Sequence, residues 1–292
     1  MGTPFATAFH EFVRTVGPTS RLRLAPTPSG YLHLGNAYNF ILNWVAARHT
    51  PGARILLRVD DLDAERKRPE YVQDVFDTLE WLGLDWDDGP HSAADFEANW
   101  SQHYRLPLYE RALEQLRHGG HLFACGKSRR DLAPFGGDYP LHFREQTCSL
   151  NDPDVAWRIK TPVPRPPGLP PDFVVRRRDG IPAYQVASVA DDLHLGITHV
   201  VRGADLADST AAQRYLAGCM GQPEFANIRF LHHPLLLNDS GEKLSKSAGA
   251  AALKTHRDTG LTPAAVYRGL ARWLGLEPVA ETSNGLLEII GR

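Results

Sequence analysis

The chain has 292 residues, 42% hydrophobic and 23% charged, enough to bury a large core and too apolar for a disordered polymer. A formal net charge of -2 and a pI of about 6.7 give no overall basic field, so any nucleic-acid contact must rest on a local patch. No run approaches the roughly 18 apolar residues of a membrane span, no basic stretch with a long apolar core opens the chain, and three cysteines at 125, 148 and 219 are no disulfide framework; a cytoplasmic monomer with reduced thiols is expected.

Residues 1–20 read as a short helix and a loop, an extension without evident chemistry. The organising stretch follows, RLRLAPTPSGYLHLGN over 21–36. Leu22 and Leu24 alternate as in a buried strand, and Pro26, Pro28 and Gly30 then force the backbone out of the sheet. Phe40, Ile41, Trp44 and Val45 recur at helical spacing over 37–48, so the segment reads strand, rigid turn, helix. A helix N-terminus leaves N–H groups unpaired and carries partial positive charge. Gly35 removes a side chain that would keep a flat base or phosphate away, and His33 adds a donor beside it. Taken alone, a strand ending in a proline-rich turn is more often punctuation than a ligand loop.

Residues 54–59 form a second apolar run of strand length, ending in Asp60-Asp61-Leu62-Asp63. The β–α–β order implies a parallel sheet with ligands at the carboxyl ends of its strands. Acidic residues there are usually caps of the next helix, and Asp63 is expected to be one. An amphipathic helix is predicted over 69–82, with Val72, Val75, Phe76, Leu79 and Leu82 on one stripe and Gly83 as its stop. Another is predicted over 104–117.

From 123 to 148 the chain is irregular. Cys125, His142 and Cys148, with Tyr139 as a weak fourth, could surround a zinc ion, but unpaired cysteines at odd spacing are more often buried or inert. No bound metal is expected. A strand is predicted at 157–160, and six prolines within 161–172 mark a loop. Residues 173–182 read as a strand closed by an Asp179-Gly180 turn. Arg176, Arg177 and Arg178 would usually be a solvated face and are candidates for RNA phosphates. A helix follows Gln213, then a strand over 228–237, and a last helix over 261–274 carries Val266, Leu270 and Trp273. Between them stands Lys243-Leu244-Ser245-Lys246-Ser247, behind Asn238-Asp239-Ser240-Gly241. Two lysines with small hydroxyl residues on a Gly-led loop suit a polyphosphate on which negative charge develops.

The two segments together resemble the signature pair of class I aminoacyl-tRNA synthetases: YLHLGN looks like the HIGH motif and KLSKS like KMSKS. RLAPTPSGYLHLGN is similar to RFAPSPTG…HIGG of the glutamyl and glutaminyl branch, and LLRVDDLDAER to LRIEDTDxER. The stretch from Pro182 to Asp205 resembles PxYHxAxVxDDxxMGITHVIRGxD almost throughout, and the likeness spans roughly residues 20–275. It implies a Rossmann-like α/β catalytic domain with a parallel sheet, an inserted acceptor-type subdomain and a short helical C-terminal segment. The expected layout is an extension over 1–20, the two catalytic halves at 21–122 and 173–247, an irregular insert at 123–172, and 248–292 with no anticodon-binding domain.

The resemblance further implies that Arg23, Ala25, Thr27, Asp60, Tyr184 and Arg202 bind glutamate. It assigns ATP to His33, Gly35, Asn36, Lys243, Ser245 and Lys246, with Mg²⁺, and catalysis to His33, Lys243 and Lys246. Asp60 stands where the glutamyl branch usually has Glu, as in the glutaminyl branch, so glutamate against glutamine stays open. The family's insert places zinc on a Cys-x-Cys and a Tyr-x-x-x-Cys pair. Cys125 and Tyr139 match, but Lys127 and Phe143 stand at the other two positions. Without an anticodon domain the chain resembles the glutamyl-queuosine tRNA(Asp) synthetases, which place activated glutamate on a modified base of the tRNA(Asp) anticodon loop. Two alternatives are a truncated ligase passing an activated amino acid to another acceptor and a non-catalytic paralogue. The second is disfavoured because both signatures keep their charged residues.

Overall fold

The computed structural model describes residues 3–136, 139–236, 252–276 and 280–290. In chain order these form α1 (Pro4–Val13), β1 (Arg21–Leu24), α2 (Leu34–Arg48), β2 (Arg54–Leu57), α3 (Pro69–Leu82), α4 (Ala93–Asp95), α5 (Leu106–His118), β3 (Leu122–Cys125) and α6 (Arg129–Leu132). There follow β4 (Ala156–Ile159), β5 (Val174–Arg176), α7 (Tyr184–His194), β6 (His199–Gly203), α8 (Ala207–Cys219), β7 (Arg229–His233), α9 (Leu253–Asp258), α10 (Pro263–Leu274) and α11 (Ser283–Ile290). The chain divides into two compact units, one of Met1–Tyr104, Ile197–Asp205 and Ile228–Arg292, the other of Arg105–Gly196 and Leu206–Asn227. No described helix is long and apolar enough to cross a membrane.

The first unit is built on β1 and β2, parallel and in register from Arg21 opposite Arg54 to Leu24 opposite Leu57. Their pairing runs on past the strands: the Arg58 N–H donates to the Leu24 carbonyl at 2.8 Å and the Asp60 N–H to the Pro26 carbonyl at 2.9 Å. β6 and β7 are likewise parallel. β6 begins beside β1, where Thr198 N–H donates to Arg21 O and Arg21 N–H to Thr198 Oγ1, both at 2.9 Å. The fully buried Asn43 of α2 donates to the Val201 carbonyl at 3.0 Å and accepts the Val201 N–H at 3.2 Å, so a side-chain amide stands in for a strand neighbour.

The LDWDDG segment, to which sequence reasoning assigned no chemistry, closes the far side of β2. Ile55 N–H donates to Asp87 Oδ2 at 2.7 Å and Leu57 N–H to the Asp88 carbonyl at 2.9 Å. Gly89 has φ +102°, and a Cβ there would run into the Leu57 carbonyl. The core gathers Phe9, Phe12, Leu22, Leu24, Ile41, Val45, Ile55, Leu57, Val75, Leu79, Leu270 and Leu274.

α1 is thus part of this core and not an appended extension, as residues 1–20 had read. Thr3 accepts the Ala6 N–H, and its own N–H donates to Leu274 O at 3.1 Å. α3 has the predicted bounds and ends at Gly83 with φ +70°. Asp63, expected to cap it, instead heads a separate turn by accepting Arg66 N–H on its carbonyl. The helix opens at Pro69, whose missing N–H is no loss in the first turn. The helix predicted last, over 261–274, is α10, and α11 follows it.

In the second unit β3, β4 and β5 make an antiparallel sheet. The Asp179-Gly180 turn forms, with Gly180 at φ +88° and Arg177 N–H donating to Ile181 O at 2.8 Å. Its return arm is a single pairing of Arg176 with Pro182, because proline has no N–H to extend the ladder and the chain enters α7 two residues later. α8 starts at Ala207, ahead of the helix expected after Gln213. Among the helices, the buried Asp191 carboxylate accepts from Arg105 Nε at 2.7 Å and from the Tyr109 hydroxyl at 2.9 Å. Burial, then the nearby Asp191 charge, pushes the Tyr109 phenol upward.

The proline-rich loop is anchored by Asp172. Its carboxylate accepts from Arg144 Nε and Nη2 at 2.6 Å each, from Thr161 N–H at 2.8 Å and from Thr161 Oγ1 at 2.9 Å.

Candidate active site

The turn between β1 and α2 is stiffened from within. His33 is the residue before α2, and its N–H donates to Asn36 Oδ1 at 3.0 Å, so Asn36, expected at ATP, also caps the helix. A Cβ at position 35 would lie 3.0 Å from His33 Cε1, so Gly35 makes room for the His33 ring as well as for any ligand. One residue earlier, Leu32 is held on both sides. Its N–H donates to Asp74 Oδ2 at 2.8 Å and its carbonyl accepts Leu253 N–H at 2.7 Å. Burial pushes the Asp74 carboxyl up, against the Leu32 hydrogen bond and the Arg257 charge.

At the exit of β2, Arg58 and Asp60 form a buried bidentate pair. Nε lies 2.6 Å from Oδ1 and Nη2 3.1 Å from Oδ2, with the side chains 2% and 8% exposed. Sequence reasoning had singled out Asp60 and passed over Arg58, although residues two apart in extended chain share a face. The fork fixes the plane of the carboxylate. An ionised carboxylate offers about four lone-pair sites, so one bidentate pairing does not by itself exhaust it. Asp61 turns the other way and is consumed structurally, accepting Ser101 Oγ at 2.7 Å, Gln102 N–H at 2.8 Å and Lys67 Nζ at 3.2 Å.

Arg23 is buried on β1 and Arg202 on β6, the latter with its guanidinium 4.8 Å over the Phe230 ring. Phe230 in turn stacks on His232 at an interplanar angle of 8°. Ala25 and the exposed Thr27 follow β1, where the Thr27 carbonyl accepts Ser29 N–H at 2.9 Å. Arg23, Ala25, Thr27, His33, Gly35, Asn36, Asp60 and Arg202 therefore all belong to the first unit. Tyr184 belongs to the second, as the first residue of α7, and is 41% exposed. Lys243, Ser245 and Lys246 lie outside the described residues.

The arginines proposed for RNA each have a partner within the chain. Arg176 lies 4.8 Å over the Trp157 ring, Arg177 pairs with Asp179 at 2.6 Å, and Arg178 donates to the Gly126 carbonyl at 2.6 Å.

The four side chains considered for zinc are engaged with their surroundings. Tyr139 OH donates to the buried Cys125 sulfur at 3.1 Å, and the Cys148 thiol lies 3.4 Å from the Ala124 carbonyl. The His142 ring sits edge-on to Phe143, and the Lys127 ammonium lies 4.9 Å over the same ring. Burial alone would raise the Cys125 thiol, but hydrogen bonds from Tyr139 and the Lys127 N–H draw it below its ordinary value. Among the described residues no group of three or more His, Cys, Asp or Glu side chains could hold a metal.

A parallel α/β unit with a strand, rigid turn and helix at the strand exits is the layout in which open α/β sheets bind ligands at their carboxyl edge. The catalytic-domain family of class I tRNA synthetases (E and Q) matches residues 19–133 and 143–288, and the chain belongs to that family. The break in the match, 134–142, falls inside the insert. The chain is 44% identical over 262 residues to a glutamyl-Q tRNA(Asp) synthetase of Synechococcus sp., covering 88% of this chain and 83% of the relative. It is 40% identical over 290 residues to the glutamyl-Q tRNA(Asp) synthetase of Symbiobacterium thermophilum, covering 88% of each. The same organism's glutamate–tRNA ligase is 32% identical over 300 residues, 92% of this chain and 61% of that protein. The fold matches a glutamate tRNA ligase from Elizabethkingia meningosepticum at TM-score 0.74 and 24% identity, over 94% of this chain and 65% of that one.

Proposed function

We propose that the protein is an ATP-dependent ligase that activates glutamate as the adenylate and transfers it to the queuosine base of tRNA(Asp). The observation that carries the enzymatic reading is the Asp60 carboxylate, fixed by Arg58 and tied through its backbone to the Pro26 carbonyl where β1 and β2 end. In the first step a carboxylate oxygen of glutamate attacks the α-phosphorus of ATP, an O–P bond forms, and the bond to the bridging oxygen breaks to release pyrophosphate. In the second, a hydroxyl of the acceptor base attacks the activated carbonyl carbon and AMP leaves with the electron pair.

Asp60 receives the ammonium of glutamate, and Arg23 and Arg202 offer planar donors to its carboxylates. Ala25 and Thr27 line the approach, and Tyr184 is assigned to the amino acid on sequence resemblance alone. His33, Gly35 and Asn36 receive the nucleotide at the start of α2. Lys243 and Lys246 offset the charge of the phosphates and Ser245 offers them a hydroxyl donor, and Mg²⁺, when bound, would supply further positive charge there. The choice of acceptor is supported by the relatives: within one organism identity is 40% to the glutamyl-Q enzyme and 32% to the glutamate–tRNA ligase. The surface of Arg176, Arg177 and Arg178 supplies phosphate contacts to the anticodon loop, and 123–172 serves as the acceptor-type insert of a monomer working in the cytoplasm.

ATP–pyrophosphate exchange over all amino acids, with and without tRNA, followed by transfer to tRNA(Asp) with and without queuosine, tests this reading. Exchange with glutamate and labelling only of queuosine-bearing tRNA(Asp) is the expected result. Charging of tRNA(Glu) would favour a truncated synthetase, adenylation without transfer a carrier ligase, and no exchange at all a binding module. Lys246→Ala should leave the fold intact and slow adenylate formation about a hundredfold, since one transition-state charge contact is worth ~3 kcal/mol.

A further inference from the structure

We infer that Asp74 is a positioning residue that holds the turn before His33 and the helix after the lysine segment in one arrangement; the inference rests on the adenylation reading above. Asp74 lies on α3, on the face it shares with Thr78 and away from the apolar stripe of Val72, Val75, Phe76 and Leu79, and is nevertheless 3% exposed. A carboxylate there carries a desolvation cost that an apolar residue would avoid, so its presence calls for a polar task. Its Oδ2 accepts the Leu32 N–H at 2.8 Å, immediately before His33.

The other side of Leu32 leads to α9. The Leu32 carbonyl accepts the N–H of Leu253, the first residue of that helix and a fully buried one. From the same helix Arg257 places Nη1 4.0 Å from Asp74 Oδ1 and 3.5 Å from Thr78 Oγ1, with its guanidinium 5.2 Å over the Trp81 ring. Asp74 thus holds Leu32 by a hydrogen bond and α9 by charge, and Leu32 itself bonds α9. The loop closes on three sides. In sequence the lysine pair precedes Leu253 by few residues, so α9 is the first described element after that segment. A side chain that ties the base of the His33 turn to α9 acts on ATP and not on the amino acid, whose assigned residues stand on and just after β1, on β6, at the exit of β2 and at the start of α7.

The test uses the full chain with Asp74→Asn, which keeps an acceptor for Leu32 and removes the charge, Asp74→Ala, which removes both, and Arg257→Met, which keeps an apolar stem on Trp81. Pyrophosphate exchange is read as separate KM values for ATP and glutamate, and ATP binding is measured by calorimetry. Asp74→Ala should raise KM for ATP and lower kcat by about tenfold to a hundredfold, the scale of a displaced reacting group, with KM for glutamate unchanged. Asp74→Asn and Arg257→Met should show the same split in smaller degree, and these two decide the matter if Asp74→Ala does not fold. Unchanged ATP parameters in a folded variant, equal rises in both KM values, or Asp74→Asn as damaged as Asp74→Ala would overturn the inference. Weaker ATP binding by the variants supports it even where wild type exchanges no glutamate, a result that would instead remove the glutamate reading.

Discussion

At the exit of β2 the buried Asp60 carboxylate has an arginine along one edge, whereas beside β3 the buried Cys125 thiol is enclosed by Tyr139 and the packed rings of Phe123 and Phe143. Both places hold residue types with chemistry in them. In the first, the backbone that carries the carboxylate is fixed by a sheet ladder running past its strands, so the group is held at the strand exits. In the second, Tyr139 OH donates to Cys125 and itself accepts Gln146 Nε2 at 3.0 Å, the Lys127 ammonium covers Phe143, and the would-be ligands serve one another. Residue type proposes a site; the partners already in place decide whether the group has capacity left.

The comparison breaks most readily at Asp60. Asp60→Ala should reduce glutamate-dependent pyrophosphate exchange by more than about a hundredfold, because it removes the ammonium's counter-charge. It should also lower the unfolding free energy by about 3 kcal/mol, since Arg58 is left as a buried charge without its partner. Replacing the pair together, by Arg58→Met with Asp60→Leu, should recover stability in denaturant titrations and leave exchange abolished. Recovery of both would show that the pair is structural only.

The Arg144–Asp172 pair of the second unit should respond in stability alone. Arg144→Met removes the bidentate partner of Asp172 and should cost about 2 kcal/mol, below the full penalty for a broken buried pair because Arg144 is partly exposed. Burial would raise the Asp172 carboxyl, but Arg144 and Thr161 outweigh it and hold it below the usual carboxylate range. Such a group stabilises the fold above its unfolded pKa, and the contribution is lost as pH falls through the lowered folded value. Acid unfolding followed by circular dichroism should therefore shift to higher pH in the variant, and a shift to lower pH would contradict the assignment.

At the insert, a chelator should leave the unfolding midpoint unchanged, and Lys127→Ala should cost about 0.5–1 kcal/mol, the worth of an exposed cation–π contact. A stoichiometric zinc lost together with the fold would refute the packing account of Cys125 and Tyr139.

How much of this was legible in the sequence depended on whether the signal was local. α3 was readable to the residue, because Pro69, a complete apolar stripe and Gly83 all lie within it. The β1–α2–β2 order was readable for the same reason, β1 by the alternation of Leu22 and Leu24 and β2 by its apolar run. Asn43 was not, since an amide inside a helix looks solvated until Val201, 158 positions away, supplies its partner. Asp74 was hidden likewise by a partner 42 positions off, and α1 read as an extension because Leu274, to which Thr3 bonds, is 271 positions distant. Arg58 could have been found, as it shares a face with Asp60, but the periodicity that puts them together says nothing of pairing.

The smallest expected effect sharpens the comparison from the first unit, which also contains polar groups that are fully used. His199 at the start of β6 is buried, edge-on to Phe12, with Nε2 3.2 Å from Thr15 Oγ1 and Nδ1 2.8 Å from Thr198 Oγ1. Burial lowers its pKa, the contact with Thr15 opposes this in part, and Arg229 lowers it further. His233 at the end of β7 is lowered in the same way by burial, against its hydrogen bond to the Pro234 carbonyl and the Asp205 charge. The unfolded chain takes up protons on these rings below about pH 6.5, whereas the folded chain resists until lower pH. Stability is therefore fully present above the unfolded value and falls as pH drops through it toward the depressed folded values. Equilibrium unfolding between pH 8 and pH 5 should show that decline, and His199→Gln, which keeps a polar partner for the two threonines and does not titrate, should flatten part of it and leave the share due to His233. A slope unchanged by His199→Gln would mean that the ring takes up its proton as readily in the folded chain as in the unfolded one, despite its burial against Phe12.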